Sequence, residues 1–321
     1  MLRLLALLLA LPLCTFAAAA EWTPERPVTI VNGFPPGGVT DGVSRALAGA
    51  VGNRLGQPVV VENRPGAAGM IAASSVARAA PDGHTLLFGV AANLAVGPAT
   101  MRKPPYDPTR AFTPIIELSR GPYLWLVRAD HPAADMAQFI AWAKSNAGKA
   151  NYASPGQGSV HHLATELLKQ QTGAPLTHVP YKGGGALAAA LLSGEVQGMF
   201  ESPSAYLGHL RAGRLRALAV TGERRLALLP EIPTLQEQGL ASLPVNSWWG
   251  IVGPAGMPGH IVKRLNEEIA RALAQSETQA IFVKMTVEPT PGTPEAFGAY
   301  MREEAVRWKA VVEKLGLALD Q

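Results

Sequence analysis

Any chemistry in this chain should sit where glycines and hydroxyls gather at the starts of predicted helices. Phe34-Pro35-Pro36-Gly37-Gly38-Val39-Thr40-Asp41 and Ser154-Pro155-Gly156-Gln157-Gly158-Ser159 are the two fullest examples. Glycine lets backbone N–H groups approach a ligand closely, and a helix N-terminus favours negative charge. The chemistry implied is anion binding by amides and hydroxyls. Gly66-Ala67-Ala68-Gly69 and Gly183-Gly184-Gly185 are further helix-opening clusters. Any one of these loops is equally well explained as a tight turn. Two equivalent loops, one in each half of the chain, favour a shared ligand held across a cleft.

Other candidates are more ambiguous. Asp41 falls in a first helical turn, where negative charge is stabilising in any case, and it can otherwise meet a ligand's cationic group. Glu201, just after the predicted strand Val196–Phe200, has the same two readings. Tyr181-Lys182 follows a strand and precedes a glycine triplet, and Trp248-Trp249 suits either a cleft wall or the core. Motifs for catalysis are poor. Gly156-Gln157-Gly158-Ser159-Val160-His161 has a histidine where a dinucleotide loop needs its third glycine. Gly148-Lys149 is followed by alanine, so the phosphate-loop pattern fails, and no G-x-S-x-G elbow occurs. His161 and His162 diverge by roughly 100° on a helix and cannot readily share a metal. A structural role for one and exposure for the other is expected. Ser159 with His162 suggests a nucleophile and base, but no third group is identifiable. No metal and no cofactor are expected.

The elements that must position these loops alternate. Val28–Val31 reads as a strand, and Thr40 is placed to cap a helix with the stripe Val43, Leu47, Val51 and Leu55. Val59–Val61 is a continuous apolar run, as expected for a strand covered on both faces. A helix over 70–79 and a strand over 85–90 complete a first α/β unit. After the Pro104–Pro108 loop, strands are expected over 115–118 and 123–127, then a helix through Phe139. Strand 151–153, the helix with Leu163 and Leu167, strand 177–180, the helix through Leu187 and strands 196–200 and 215–220 follow. A strand over 249–252 and two amphipathic helices, through Leu265 and Trp308, end the chain. A chain that leaves one lobe, builds a second and returns gives a cleft crossed by two linkers.

Met1-Leu2-Arg3, the apolar run Leu4–Leu13 and the alanines at 17–20 read as a cleavable signal peptide over residues 1–20. Cys14 is the only cysteine and would leave with it, removing thiol chemistry from the remainder. A hydrophobic content of 48% supports a packed core, and a charged content of 16% argues against disorder. The formal charge of +4 falls to +3 without Arg3, too little to imply nucleic acid.

A set of longer motifs runs along the chain in order. They are Phe34-Pro35-Pro36-Gly37-Gly38 with Asp41, Gly56-Gln57-Pro58-Val59-Val60-Val61-Glu62-Asn63-Arg64-Pro65-Gly66-Ala67, and Ala80-Pro81-Asp82-Gly83-His84-Thr85-Leu86-Leu87. Pro105-Tyr106-Asp107-Pro108, Asn151-Tyr152-Ala153-Ser154, Gly158-Ser159, His162-Leu163 and His178-Val179-Pro180-Tyr181-Lys182-Gly183 continue the set. Ala217–Thr221 and Pro254-Ala255-Gly256-Met257-Pro258 complete it. Together these motifs resemble one family, the substrate-binding proteins of tripartite tricarboxylate transporters, or Bug proteins, and the resemblance covers essentially everything after the leader. There are departures: Gly33 replaces a usual proline, Glu201 stands where aspartate is common, and Ala91-Ala92-Asn93 replaces a more hydroxyl-rich segment.

The resemblance implies a two-lobed periplasmic binding protein of the Venus-flytrap, type II-like kind. Parallel and mixed sheets would carry helices on both faces around an interlobe cleft. One lobe is expected from residues 21–121 and 246–321 and the other from 122–245. A small carboxylate (a di- or tricarboxylate, acidic amino acid or aromatic acid) would be held by Phe34, Pro36, Gly37, Gly38, Asp41, Asn93, Ser154, Gly158, Ser159, Tyr181 and Glu201. The expected protein is a periplasmic monomer that serves a membrane transporter. A sensor-presenting module and a periplasmic hydrolase are the alternatives.

Overall fold

The computed structural model describes residues 22–181, 184–243, 245–284 and 289–318, so the leader, Cys14 and Lys182 lie outside the described residues. The first sheet has the order β2-β1-β3-β10-β4. It is built from β1 (Val28–Asn32), β2 (Val59–Asn63), β3 (Thr85–Val90), β4 (Phe112–Pro122) and β10 (Asn246–Pro254). β1 runs parallel to β2 and β3, and β10 runs antiparallel to β3 and β4. One face is covered by α1 (Val39–Leu55), α8 (Gly259–Leu273) and α9 (Ser276–Lys284). Val43, Leu47, Val51, Leu265, Ile269 and Phe282 pack there on Ile30, Phe88 and Ile251. The other face carries α2 (Met70–Ala77), the short α3 (Gly97–Thr100) and the long α10 (Pro294–Leu315).

The chain crosses to a second layer between Pro122 and Leu124 and returns at Asn246. β5 (Leu124–Arg128) lies between β8 (Met199–Glu201) and β9 (Leu215–Val220), antiparallel to both. β6 (Asn151–Ser154) and β7 (Thr177–Pro180) pair in parallel, and a bridge from Tyr152 to Gly198 joins them to the chain entering β8. Helices α4 (Met136–Ser145), α5 (Val160–Thr172), α6 (Gly184–Ser193) and α7 (Pro203–Arg211) surround this layer. The result is two α/β lobes. Their apolar interiors are not separate: one buried cluster runs from Val31, Met70 and Leu87 through Trp248, Phe297 and Trp308 to Trp125, Tyr152 and Leu163.

Burial of Glu304 belongs to this bridge. Its carboxylate accepts the indole N–H groups of Trp248 at 3.0 Å and Trp308 at 3.1 Å and pairs with Arg307. A buried charge survives only when so satisfied, and here it ties the return strand to the last helix.

Two expectations change, and two helices are added. Val60 is 45% exposed, because β2 is an edge strand and not one covered on both faces. A bare apolar run does not distinguish the two cases. Gly38, in extended conformation, is the N-cap of α1, and Thr40 lies inside the first turn. The added helices are α7, which Ser202-Pro203 supplies with an N-cap and a proline at the first turn, and α9.

Candidate ligand-binding site

The first loop is closed from behind by Asp41. Its carboxylate accepts the Gly37 N–H at 3.0 Å, the Arg45 Nε–H at 3.0 Å and the Asn63 side-chain amide at 2.9 Å. The Asn63 amide also reaches the Phe34 carbonyl at 3.0 Å, and Arg45 donates to the Asn63 side-chain oxygen at 3.0 Å. Hydrogen bonding from Arg45, outweighing desolvation and helped by Gly37, holds the Asp41 carboxyl down at about 2. The charge is therefore consumed within the loop. Gly37 needs this closure because it sits at φ 84, in the left-handed region that favours glycine.

A second loop packs directly against the first. A Cβ on Gly33 would lie 2.5 Å from the Gly69 Cα, so the close approach of the two backbones requires glycine there. Ala67 and Ala68 are held at φ 46 and 53. Left-handed alanine costs about 1–2 kcal/mol per residue, and this strain falls on residues that line the main cavity.

The third loop comes from the other lobe. Ser154 is buried, with its hydroxyl against His178 Nε2 at 2.6 Å and accepting the Gly156 N–H at 3.1 Å. Ser159 caps α5 by accepting the His162 N–H at 3.2 Å. His162 Nδ1 accepts the Gly158 N–H at 3.1 Å, so the ring is neutral at that nitrogen. The imidazole therefore serves loop shape, and Ser159 is not joined to it as nucleophile to base.

These loops border one cavity of about 670 Å³ between the lobes. It takes Phe34, Gly158, Ser159 and Glu201 from the expected set. Pro36, Gly37, Gly38 and Asp41 are outside its lining and shape the loop that carries Phe34. Asn93 and Ser154 lie buried behind the wall. Asn93 accepts the Val90 N–H at 2.9 Å while its own amide nitrogen has no partner. Tyr181 is not among the cavity's lining residues: it is partly buried against the apolar cluster of the second lobe, and burial raises its hydroxyl to about 12. His161 is a correction. It is not solvent-exposed but lines the cavity, 17% exposed, with Nε2 3.5 Å from Glu201 Oε1. Sequence reasoning overlooked Tyr123, Ser202 and Ser247 in this wall. The position of Tyr123 at the crossing point was the available signal. Both Trp248 and Trp249 reach the wall, and Trp248 is also core.

A histidine pair underlies the third loop. The rings of His162 and His178 stack at 4.3 Å, with Tyr152 stacked on His178 at 5.0 Å. Glu166 accepts from the Tyr152 hydroxyl at 2.6 Å and from Lys169 at 2.8 Å. Burial, reinforced by His162, lowers His178 from 6.5 to about 4, and burial lowers His162 as well. The unfolded chain takes up these protons near 6.5 and the native chain refuses them until lower pH. Stability is thus complete above about pH 6.5 and is lost as pH falls toward 4. His162 is buried, but His178, the ring with the larger shift, is only partly so, and that partial exposure limits the effect to about 1–2 kcal/mol. Unfolding midpoints measured from pH 7 to 4 should fall in this window, and His178→Gln should flatten the fall. A profile unaltered by that substitution would discharge His178 from the role.

Among the described residues no group of three His, Cys, Asp or Glu side chains could hold a metal ion, and no helix is long and apolar enough to cross a membrane. Two lobes around a loop-lined cavity define a solute-binding protein of the periplasmic type. Residues 43–317 match the model of the tripartite tricarboxylate transporter family receptor. The chain belongs to that family, and the Bug proteins are among its relatives. The periplasmic binding protein BugD is 32% identical in sequence, with a TM-score of 0.80 over 93% of this chain and 100% of its own. MatC from Rhodopseudomonas palustris, solved with bound malate, is 34% identical with a TM-score of 0.80 over 90% of this chain and 99% of its own. Rpa4515 from R. palustris, solved with adipate, is 34% identical with a TM-score of 0.82 over 92% and 99%.

Proposed function

We propose that this chain is a periplasmic receptor that captures a small carboxylate-bearing molecule between its lobes, without turnover, and delivers it to a membrane transporter. The observation that carries the reading is the convergence of Phe34 from one lobe and Gly158 and Ser159 from the other on a single cavity. One lobe comprises residues 21–121 and 246–321, and the other residues 122–245. The carboxylate sits at the start of α5, where the Ser159 hydroxyl and the Gln157 N–H supply donors, the Gly156, Gly158 and Ser159 N–H groups being used inside the loop, and the helix end favours its charge. Phe34 closes on it from the other side, with Pro36, Gly37, Gly38 and Asp41 holding the Phe34 loop in shape. Asn93 and Ser154 support the walls from behind. Binding favours the closed arrangement, because only closure brings both loops onto one molecule.

Malate and adipate in the related structures support a small acid as the ligand. The receptor family supports a transporter as the partner. The protein acts as a monomer, after removal of residues 1–20. A ligand titration followed by unfolding tests the reading: refolded protein should be stabilised by at least one acid in a broad panel, and stabilisation by none would overturn it.

A further inference from the structure

The charge inventory of the cavity separates kinds of acid. Among the described residues its lining contains no lysine and no arginine. Its one carboxylate, Glu201, is only 7% exposed. Glu201 Oε2 accepts the Ser202 N–H at 3.1 Å, and Oε1 faces His161 Nε2 at 3.5 Å, beyond a good hydrogen bond. A carboxylate has about four acceptor positions, so Glu201 retains capacity toward the cavity. Its surroundings are the hydroxyls of Ser202, Ser247 and Tyr123 and the His161 ring, which meets Tyr123 edge-on at 4.9 Å. Nδ1 of His161 is buried without a partner. One carboxylate of a ligand is provided for at the start of α5. A second would meet Glu201 with no fixed cation among the described lining residues to offset either charge, and like charges disfavour one another more strongly inside a protein than in water.

We propose that Glu201 is the subsite for a protonated amine, so that the ligand is a small zwitterion: a carboxylate at the Gly156–Ser159 loop and an ammonium at Glu201. The ammonium donates to Glu201 in a charge-assisted hydrogen bond and sits beside the aromatic wall of Tyr123 and Trp249, whose ring faces also favour a cation. The proposal rests on the carboxylate-capture reading and narrows it from acids in general to amino acids.

Calorimetric titration of refolded protein with matched pairs tests it: aspartate against succinate, glutamate against glutarate, 4-aminobutyrate against butyrate. The amine-bearing member of at least one pair should bind tighter by at least about tenfold. Glu201→Gln should erase that preference and Glu201→Asp should keep it. If the amine-free acids bind equally well or better, this proposal falls while carboxylate capture stands. If no member of any pair binds, the zwitterion proposal falls, and the carboxylate reading then stands or falls on the wider acid panel. If Glu201→Gln does not fold, as its ligand-free melting curve would reveal, the pairs on the unsubstituted protein decide alone.

Discussion

Asp41→Ala is expected to cut ligand affinity by roughly 5- to 30-fold while leaving the chain folded. The carboxylate does not line the cavity, yet it gathers the Gly37 N–H, the Asn63 amide and Arg45 into one closed loop. Without it the Phe34 loop must be ordered at the expense of binding, and freeing the equivalent of one residue, at about 1–2 kcal/mol, sets that range. The folded state also loses charge-assisted hydrogen bonds, about 1.5–3 kcal/mol each. Because the Asp41 pKa is lowered to about 2, this part of the stability is present above the ordinary value of 3.8 and is lost as pH falls through about 2. Calorimetry on the variant checks the first effect, and acid unfolding checks the second. Native affinity in Asp41→Ala would remove the first loop from the site.

Trp125→Ala should be strongly destabilising, costing about 3–5 kcal/mol and lowering the unfolding midpoint by roughly 6–20 °C. Trp125 is fully buried at the centre of the β8-β5-β9 sheet, edge-on to Phe139 at 5.0 Å and to Phe200 at 4.9 Å. A Cβ on Gly198 would stand 2.4 Å from its ring, so the neighbouring chain has been fitted around the indole. Phe200 precedes Glu201, and the cavity left by truncation therefore loosens the strand that presents the acidic end of the site. Trp125→Phe should be milder, because the indole N–H has no partner in the fold. An alanine variant that unfolds within 2 °C of the native protein would refute this account of the sheet.

Much of this architecture was legible in the sequence because its signals are local. Alternating strands and amphipathic stripes placed most elements, and glycine-rich helix starts marked the three loops that border the cavity. What escaped depends on partners distant in sequence. The run Val59-Val60-Val61 has the composition of a central strand, but only the strand order puts it at an edge. Asp41 is near enough in sequence to be suspected of binding, yet Asn63 and Arg45 spend its charge inside the loop. Tyr181 follows a strand as a site residue should, but it packs, partly buried, against the second-lobe apolar cluster. His161 and His162 are adjacent and opposite in role, since a helix turns one toward the cavity and the other beneath the loop.

The central claim is capture of a carboxylate between the lobes. Its most direct test is the thermal unfolding of refolded, ligand-free protein against mono-, di- and tricarboxylates, amino acids and aromatic acids. Refolding strips any acid carried through purification. A true ligand at 100 times its dissociation constant should add about 2.7 kcal/mol of stability, with one molecule bound per chain. If the refolded protein shows its native transition and no acid in the panel moves it, the claim is contradicted.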